Sequence, residues 1–390
     1  MYIINSIPYI FFFLICIFFS LSRTTVYCVN NIENALIYKY NDIFFSVISF
    51  IFIGCRGFVG ADWLLYLPYY QSVPSLNAGI NNVFRFMMHN NYEPLYALFN
   101  IFIKSIYDNY FFLQFCLFTI DFIILHYFFK EYLGRYYYLG WAFFYIFQGY
   151  ILEIIILRNT KSILLFLLSI KYINTKNPKM YFILNIIGFF FHKSAIVYFP
   201  LYFIRYVPRN KVLEILIFGI GNIVYILQIQ WFKTFYQLLG HFLPSIIRHM
   251  CDLYFNNTHY SAGYGITIGY LERFFSYILI FLFSEQLIKQ DKRLRIFIYL
   301  FNIYSYIYLY FTEFYIFIER VPTLIVCCYW ILYPNIYRNL KKEWKYLFIL
   351  VFIIYGCLKT IILLDEKWAY YDNFIFGAYN SLDRKEHFTY

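Results

Sequence analysis

Arg56 and Asp62 bracket the run Arg56-Gly57-Phe58-Val59-Gly60-Ala61-Asp62, directly after the apolar stretch from Ile43 to Cys55. A carboxylate at the mouth of such a stretch can take a proton from an attacking hydroxyl, and a neighbouring guanidinium can hold an anion. The structural alternative is an aspartate that pairs with Arg56 and caps a following helix. Arg158 and Lys161, in Leu157-Arg158-Asn159-Thr160-Lys161-Ser162, share a helix face by their spacing. Like charges on one face repel unless an anion lies between them, and a guanidinium grips phosphate in a fork geometry. Glu153 as an internal counter-ion is the plainer account. His192-Lys193-Ser194 interrupts the apolar run from Tyr181 to Phe203, which suits an anion contact or a proton relay as well as a satisfied core histidine. Glu93 precedes Pro94, a good first-turn residue, and the helix dipole favours an acid there without any function. Glu319-Arg320 reads first as an interfacial anchor.

These charges matter because of what surrounds them. Apolar residues make up 62% of the chain and the mean hydropathy is +0.58, too apolar for a soluble domain of this length. Ionisable groups at membrane depth cost about 2.5–3.5 kcal/mol each, so they persist where they face a cavity or a partner. Apolar runs recur at 7–22, 41–56, 110–129, 136–152, 155–172, 180–204, 212–230, 269–288, 295–317, 321–337 and 345–364. The expected fold is all-α: a polytopic helical membrane protein of about 11–12 transmembrane helices. No linker, repeat or compositional break divides residues 1–390, so one integral membrane domain is expected. The stretch from Pro8 to Leu21 lacks a preceding basic segment and a following small-residue cleavage site, and reads as a retained first span.

Lysine and arginine in short loops set orientation. Arg23 with Lys39, Lys130 with Arg135, and Lys171 with Lys176 and Lys179 mark one face, as do the basic clusters near 205–211, 289–295 and 338–345. With these cytoplasmic, segments 57–109 and 231–268, the pair Glu319-Arg320 and the tail after Asp365 lie outside, and 93–106 lies in the interface. The run 180–204 has the wrong parity unless it is broken or re-entrant near His192. The net charge of +11 therefore belongs to topology and implies no nucleic acid. Cys16, Cys116, Cys327, Cys328 and Cys357 lie in apolar runs without ligand spacing, so neither a disulfide framework nor a metal is expected. His249, Cys251 and Asp252 match no metal motif. The tail Lys367-Trp368-Ala369-Tyr370-Tyr371-Asp372-Asn373-Phe374 mixes aromatic rings with a carboxylate and reads as part of an aromatic belt, although its rings would also stack on sugars. Walker, hydrolase-elbow and HExxH signatures are lacking.

The ordered set Arg56…Gly60-Ala61-Asp62…Tyr66, Glu93-Pro94-Leu95-Tyr96, Leu157-Arg158-Asn159, Phe191-His192-Lys193-Ser194-Ala195 and Glu319-Arg320 resembles the EpsG family of Wzy-like exopolysaccharide and O-antigen polymerases, over about residues 1–380. The family's usual glycine-threonine-aspartate-tyrosine reads Gly60-Ala61-Asp62-Trp63 here, and its arginine-glutamine reads Arg158-Asn159. The resemblance implies a multi-pass protein of the bacterial cytoplasmic membrane, acting without a cofactor. Its implied activity is glycosyl transfer: a growing glycan leaves undecaprenyl diphosphate for a lipid-linked oligosaccharide repeat unit, with a chain-length co-polymerase as an optional partner. Under that reading Asp62 is the candidate base, and Arg158 with Lys161 or Arg56 binds the diphosphate. His192 and Arg320 are supporting contacts, and Glu93 orients Arg158 or the acceptor. An acidic first outer loop is similar to that of GT-C membrane glycosyltransferases, at the level of fold only. The rival classes are a lipid-linked oligosaccharide flippase, which predicts charge spread along a central cavity, and a membrane acyltransferase with His192 as base.

Overall fold

The computed structural model describes residues 3–26, 32–242, 265–364, 366–377 and 380–389, together with Ser245 and Arg248. Described residues contain many helices and no strand; one isolated bridge joins Arg56 to Asn373. The chain is a helical membrane protein, built as two compact units, Met1–Tyr202 with Tyr333–Tyr390 and Phe203–Leu332.

In the first unit, α1 (Ile3–Val26) packs against α7 (Tyr137–Phe144) and α17 (Lys342–Leu364). The helix α2 (Ile32–Ser49) runs on into a π-helical turn, Phe50–Gly54. Three short helices follow: α3 (Trp63–Ser72), α4 (Ile80–His89) and α5 (Pro94–Ile106). The Asn109 side chain accepts from the Phe111 and Phe112 N–H groups at 2.8 and 3.1 Å and so caps α6 (Tyr110–Leu133). Gly134, at φ 54°, turns the chain back. Ring contacts His126–Tyr137 and Phe122–Trp141 then show α7 running antiparallel to α6. Non-helical Phe147 and Gln148 separate α7 from α8 (Tyr150–Ile154).

The helices α9 (Leu157–Asn174) and α10 (Pro178–Phe191) form a tight antiparallel pair, with Pro178 in the first turn and the Asn177 side chain accepting from Met180 N–H at 3.1 Å. His192 is extended (φ −158°, ψ 129°), and a 3₁₀ segment, Lys193–Tyr206, follows. Its first part folds back on α10: the Tyr181 hydroxyl donates to Tyr198 O at 2.5 Å, and Phe182 stacks on Phe199. The run 180–204 is thus a hairpin with His192 and Lys193 at its tip.

The second unit holds α11 (Lys211–Ile226), α12 (Trp231–Leu239), α13 (Ile268–Gln290), α14 (Leu294–Tyr310), α15 (Tyr315–Leu324) and the first part of α16 (Cys327–Asn339), up to Leu332. Its helices α11 and α13 both pack on α14, and Phe218 stacks on Tyr277 at 3.7 Å between ring centroids. A last helix, α18 (Ser381–Thr389), belongs to the first unit.

Among the described residues, three helical stretches are long and apolar enough to cross a membrane: Ile4–Ser22, Tyr110–Ile154 and Lys342–Leu364. Two bent pairs, Lys211–Ile226 with Trp231–Leu238 at 84° and Phe317–Leu324 with Cys327–Asn339 at 59°, raise the number to 5. Tyr110–Ile154 itself doubles back at Gly134 and supplies two legs. Several of the 11–12 expected spans are therefore present as broken or short helices. The apolar run Pro94–Ile106, expected to lie in the interface, is a short apolar helix.

Candidate functional site

The loop that leaves the π-turn is fixed from the far end of the chain. Gly57 N–H donates to Asp372 O at 2.8 Å, Gly60 N–H to Trp368 O at 3.0 Å and Phe374 N–H to Cys55 O at 3.1 Å. Phe58 N–H reaches Asp372 Oδ2 at 3.2 Å, and the buried Arg384 donates from Nε to Phe58 O at 2.8 Å. Both loop glycines are required by this packing. A Cβ on Gly57 would lie 2.1 Å from Asp372 Oδ2, and Gly60 has φ +87° with Ile154 O 3.1 Å from where its Cβ would be. Gly57→Ala is accordingly expected to push the tail off the loop, at a cost of about 1–3 kcal/mol from overpacking. Faster proteolysis of the tail and a lowered unfolding temperature in detergent would report it; unchanged values would refute the clamp.

Arg56 faces inward from this loop. It is 2% exposed, donates from Nη1 to Ile53 O at 2.8 Å, and Glu153 and Asp121 are its strongest carboxylate neighbours. Lys161 pairs with Asp121 and also donates to Leu117 O at 3.3 Å; all four charged groups are buried. Arg56, Asp121, Glu153 and Lys161, from the loop, α6, α8 and α9, thus form one interior cluster. The expectation that Lys161 or Arg56 joins Arg158 on a diphosphate meets this burial, since both lie inside the cluster. A buried charge keeps its counter-ion because separation leaves both desolvated. Along α9, Arg158 and Lys161 reach different partners.

Arg158, at the N-terminus of α9, stays half-exposed. Its Nη1 donates to Glu93 Oε2 at 2.5 Å, and its guanidinium lies 4.4 Å from the Tyr92 ring centroid and 5.8 Å from those of Tyr66 and Tyr96. Its Nε has no hydrogen-bond partner among the described residues. Glu93 starts α5 without capping it; its other oxygen accepts from Lys193 N–H at 3.4 Å. The hairpin tip completes the group: the Ser194 hydroxyl donates to Asn159 Oδ1 at 2.6 Å, and His192 Nδ1 lies 2.7 Å from the same hydroxyl. Lys193 is exposed there.

Asp62 is half-buried at the start of α3, and its side chain makes no cap hydrogen bond, so the capping account does not describe it. Its charge acts on Tyr66, as does that of Arg158. Burial pushes the Tyr66 hydroxyl up to about 12 against the pull of Arg158, which leaves it a protonated donor at neutral pH. The first unit thus brings Asp62, Glu93, Arg158 and His192 around three tyrosine rings. Arg320 is exposed on α15 of the second unit, and His249, Cys251 and Asp252 fall outside the described residues.

Asp121, Arg384, the tie of Asp372 to the loop and the Asn159–Ser194 bond were not singled out from sequence. Asp121 had a signal, as a lone carboxylate inside the apolar run 110–129. The tie of Asp372 and Arg384 to the loop had none, since Phe58 lies more than 300 residues away from both.

Long apolar helices, several of them bent or doubled back, define a polytopic helical membrane protein. The EpsG family model matches residues 39–375, most of the chain, and the chain belongs to the EpsG family. Membership brings a polysaccharide-polymerase-like function as its general class. No curated protein and no solved structure matches the chain.

Proposed function

We propose that this protein is a membrane glycosyltransferase that polymerises lipid-linked oligosaccharides at the outer face of the bacterial cytoplasmic membrane. The observation that carries the reading is the Arg158–Glu93 pair, stacked on Tyr92 and adjoined by Asp62 and the His192–Ser194 tip. In the proposed reaction the acceptor sugar's hydroxyl attacks the anomeric carbon of the glycan held on undecaprenyl diphosphate. The new C–O bond forms as the bond to the diphosphate breaks, and the hydroxyl proton passes to Asp62. Arg158, with the exposed Lys193 and His192 beside it, takes up the charge growing on the leaving diphosphate. Arginine is suited to that role because its planar fork stays charged and stacks on Tyr92 while donating to oxygen. Glu93 holds the guanidinium in place, and the tyrosine rings offer faces for sugar rings. Arg56 and Lys161 serve this site indirectly, by fixing the loop and α9 through Glu153 and Asp121. Arg320 and a chain-length co-polymerase keep the supporting roles that the family resemblance implies.

The test is a glycan ladder from a host that lacks its own polymerase but makes the cognate lipid-linked repeat. Wild type is expected to give a ladder. Asp62→Asn at matched membrane expression is expected to leave single lipid-linked repeats, since removing a general base costs about 10²–10⁴-fold. Single repeats at the surface with no polymer from wild type would overturn the reading. Repeats that reach the surface only when the protein is expressed would indicate a flippase.

A further inference from the structure

Away from the Arg158 site, a cavity of about 430 Å³ opens beside α2, headed by Asp42 and Lys130 and walled by Ile43, Val47, Ile51 and Cys55. His126, one turn before Lys130 on α6, adjoins the polar end. That end is built. Lys130 Nζ lies 3.0 Å from Asp42 Oδ2, Tyr138 donates to Asp42 Oδ1 at 2.6 Å, Tyr137 donates to the same oxygen, and the Lys130 ammonium lies 5.1 Å from the Tyr137 ring centroid. The wall is apolar and uncovered: Ile43, Val47 and Ile51 are 50%, 48% and 37% exposed. They recur at helical spacing on one face of α2 and its π-turn. At 1.5 Å per residue, Asp42 to Cys55 covers about 20 Å, against a hydrocarbon core of about 30 Å for both leaflets. A strip of that length with one charged end suits a single acyl chain below a headgroup.

The charges at the head select among headgroups. A purely anionic group near Lys130 would also face the Asp42 carboxylate, and a diphosphate would meet that repulsion more strongly. A purely cationic group would face Lys130. A zwitterion with a phosphate and an ammonium satisfies both, and a primary ammonium can donate to Asp42 where a quaternary one has no N–H to give.

We propose that this groove binds a bilayer phospholipid with a phosphoethanolamine headgroup. Its phosphate rests on Lys130 and His126, its ammonium on Asp42, and one acyl chain lies along Ile43, Val47 and Ile51. The site is separate from the glycan chemistry and does not depend on it.

The protein would be placed in nanodiscs of equimolar phosphatidylethanolamine, phosphatidylglycerol and phosphatidylcholine, extracted in mild detergent, and its retained lipid identified by native mass spectrometry. Phosphatidylethanolamine is expected to be retained above its share of the bilayer. Lys130→Gln is expected to weaken retention about tenfold, the equivalent of one charge-assisted hydrogen bond. Val47→Trp, which fills the groove without touching its charged end, is expected to remove the bound lipid while the unfolding profile stays that of wild type. Ile51→Trp serves the same purpose if Val47→Trp unfolds. Retention that mirrors the bilayer composition, a preference for phosphatidylglycerol, or lipid that survives both tryptophan substitutions would overturn the proposal.

Discussion

Arg158→Ala is expected to reduce polymer to single lipid-linked repeats, at membrane abundance equal to wild type. Arg158 is the half-exposed cation at the α9 N-terminus, set 2.5 Å from Glu93 and 4.4 Å from the Tyr92 ring centroid. Its loss removes a fixed donor from developing charge, an effect of about 10²–10³-fold on turnover in comparable sites. Arg158→Lys is expected to recover little, because an ammonium keeps the charge but has neither the planar face for Tyr92 nor the two-pronged donor geometry. Glu93→Gln separates holding from binding: the guanidinium survives without its anchoring carboxylate, so a smaller loss than in Arg158→Ala is expected. Polymer ladders by gel, normalised to immunodetected protein, provide the comparison. A full ladder from Arg158→Ala would remove this residue from the chemistry, and equal activity of Arg158→Lys and wild type would remove the stacking argument.

The largest expected loss of stability is at Asp121. Its carboxylate pairs with Lys161 with both side chains almost wholly enclosed, at 1% and 4% exposed. Removing one partner strands the other charge in the interior, a cost of about 3–5 kcal/mol. Asp121→Asn should therefore lower the unfolding temperature in detergent markedly and reduce the amount of protein recovered from membranes. Replacing both partners, as in Asp121→Leu with Lys161→Met, removes the charges together and is expected to restore much of the lost stability. A wild-type unfolding temperature in Asp121→Asn would mean that Lys161 draws its compensation elsewhere. The double variant also bears on mechanism: polymer made without Lys161 would show that this ammonium holds α9 and does not contact the diphosphate.

Composition alone determined the class, because 62% apolar residues cannot be solvated by water over 390 positions. The ordered motifs around Asp62, Glu93, Arg158 and His192 likewise sufficed to indicate the EpsG family, since each is a local run of residues. The break at His192 was also legible, from charge parity and from a His-Lys pair inside an apolar run. Spans were less so: a hydropathy window measures length and apolarity, and although it divides 110–129 from 136–152 around Gly134, it passes over the Phe147–Gln148 break, where backbone conformation interrupts the helix.

Only the tertiary structure decided which charges work together. Arg158 and Lys161 look equivalent on a helical wheel, yet one meets Glu93 from α5 and the other Asp121 from α6. Arg56 and Asp62 look like a pair by proximity, yet Arg56 is buried and donates to Ile53 O, while the charge of Asp62 acts on Tyr66. The tail, which reads as an interfacial belt, closes the Asp62 loop through backbone hydrogen bonds that sequence cannot display. The reason is physical: a residue's type sets what it can bind, but in a low-dielectric interior the nearest opposite charge in space decides what it does bind.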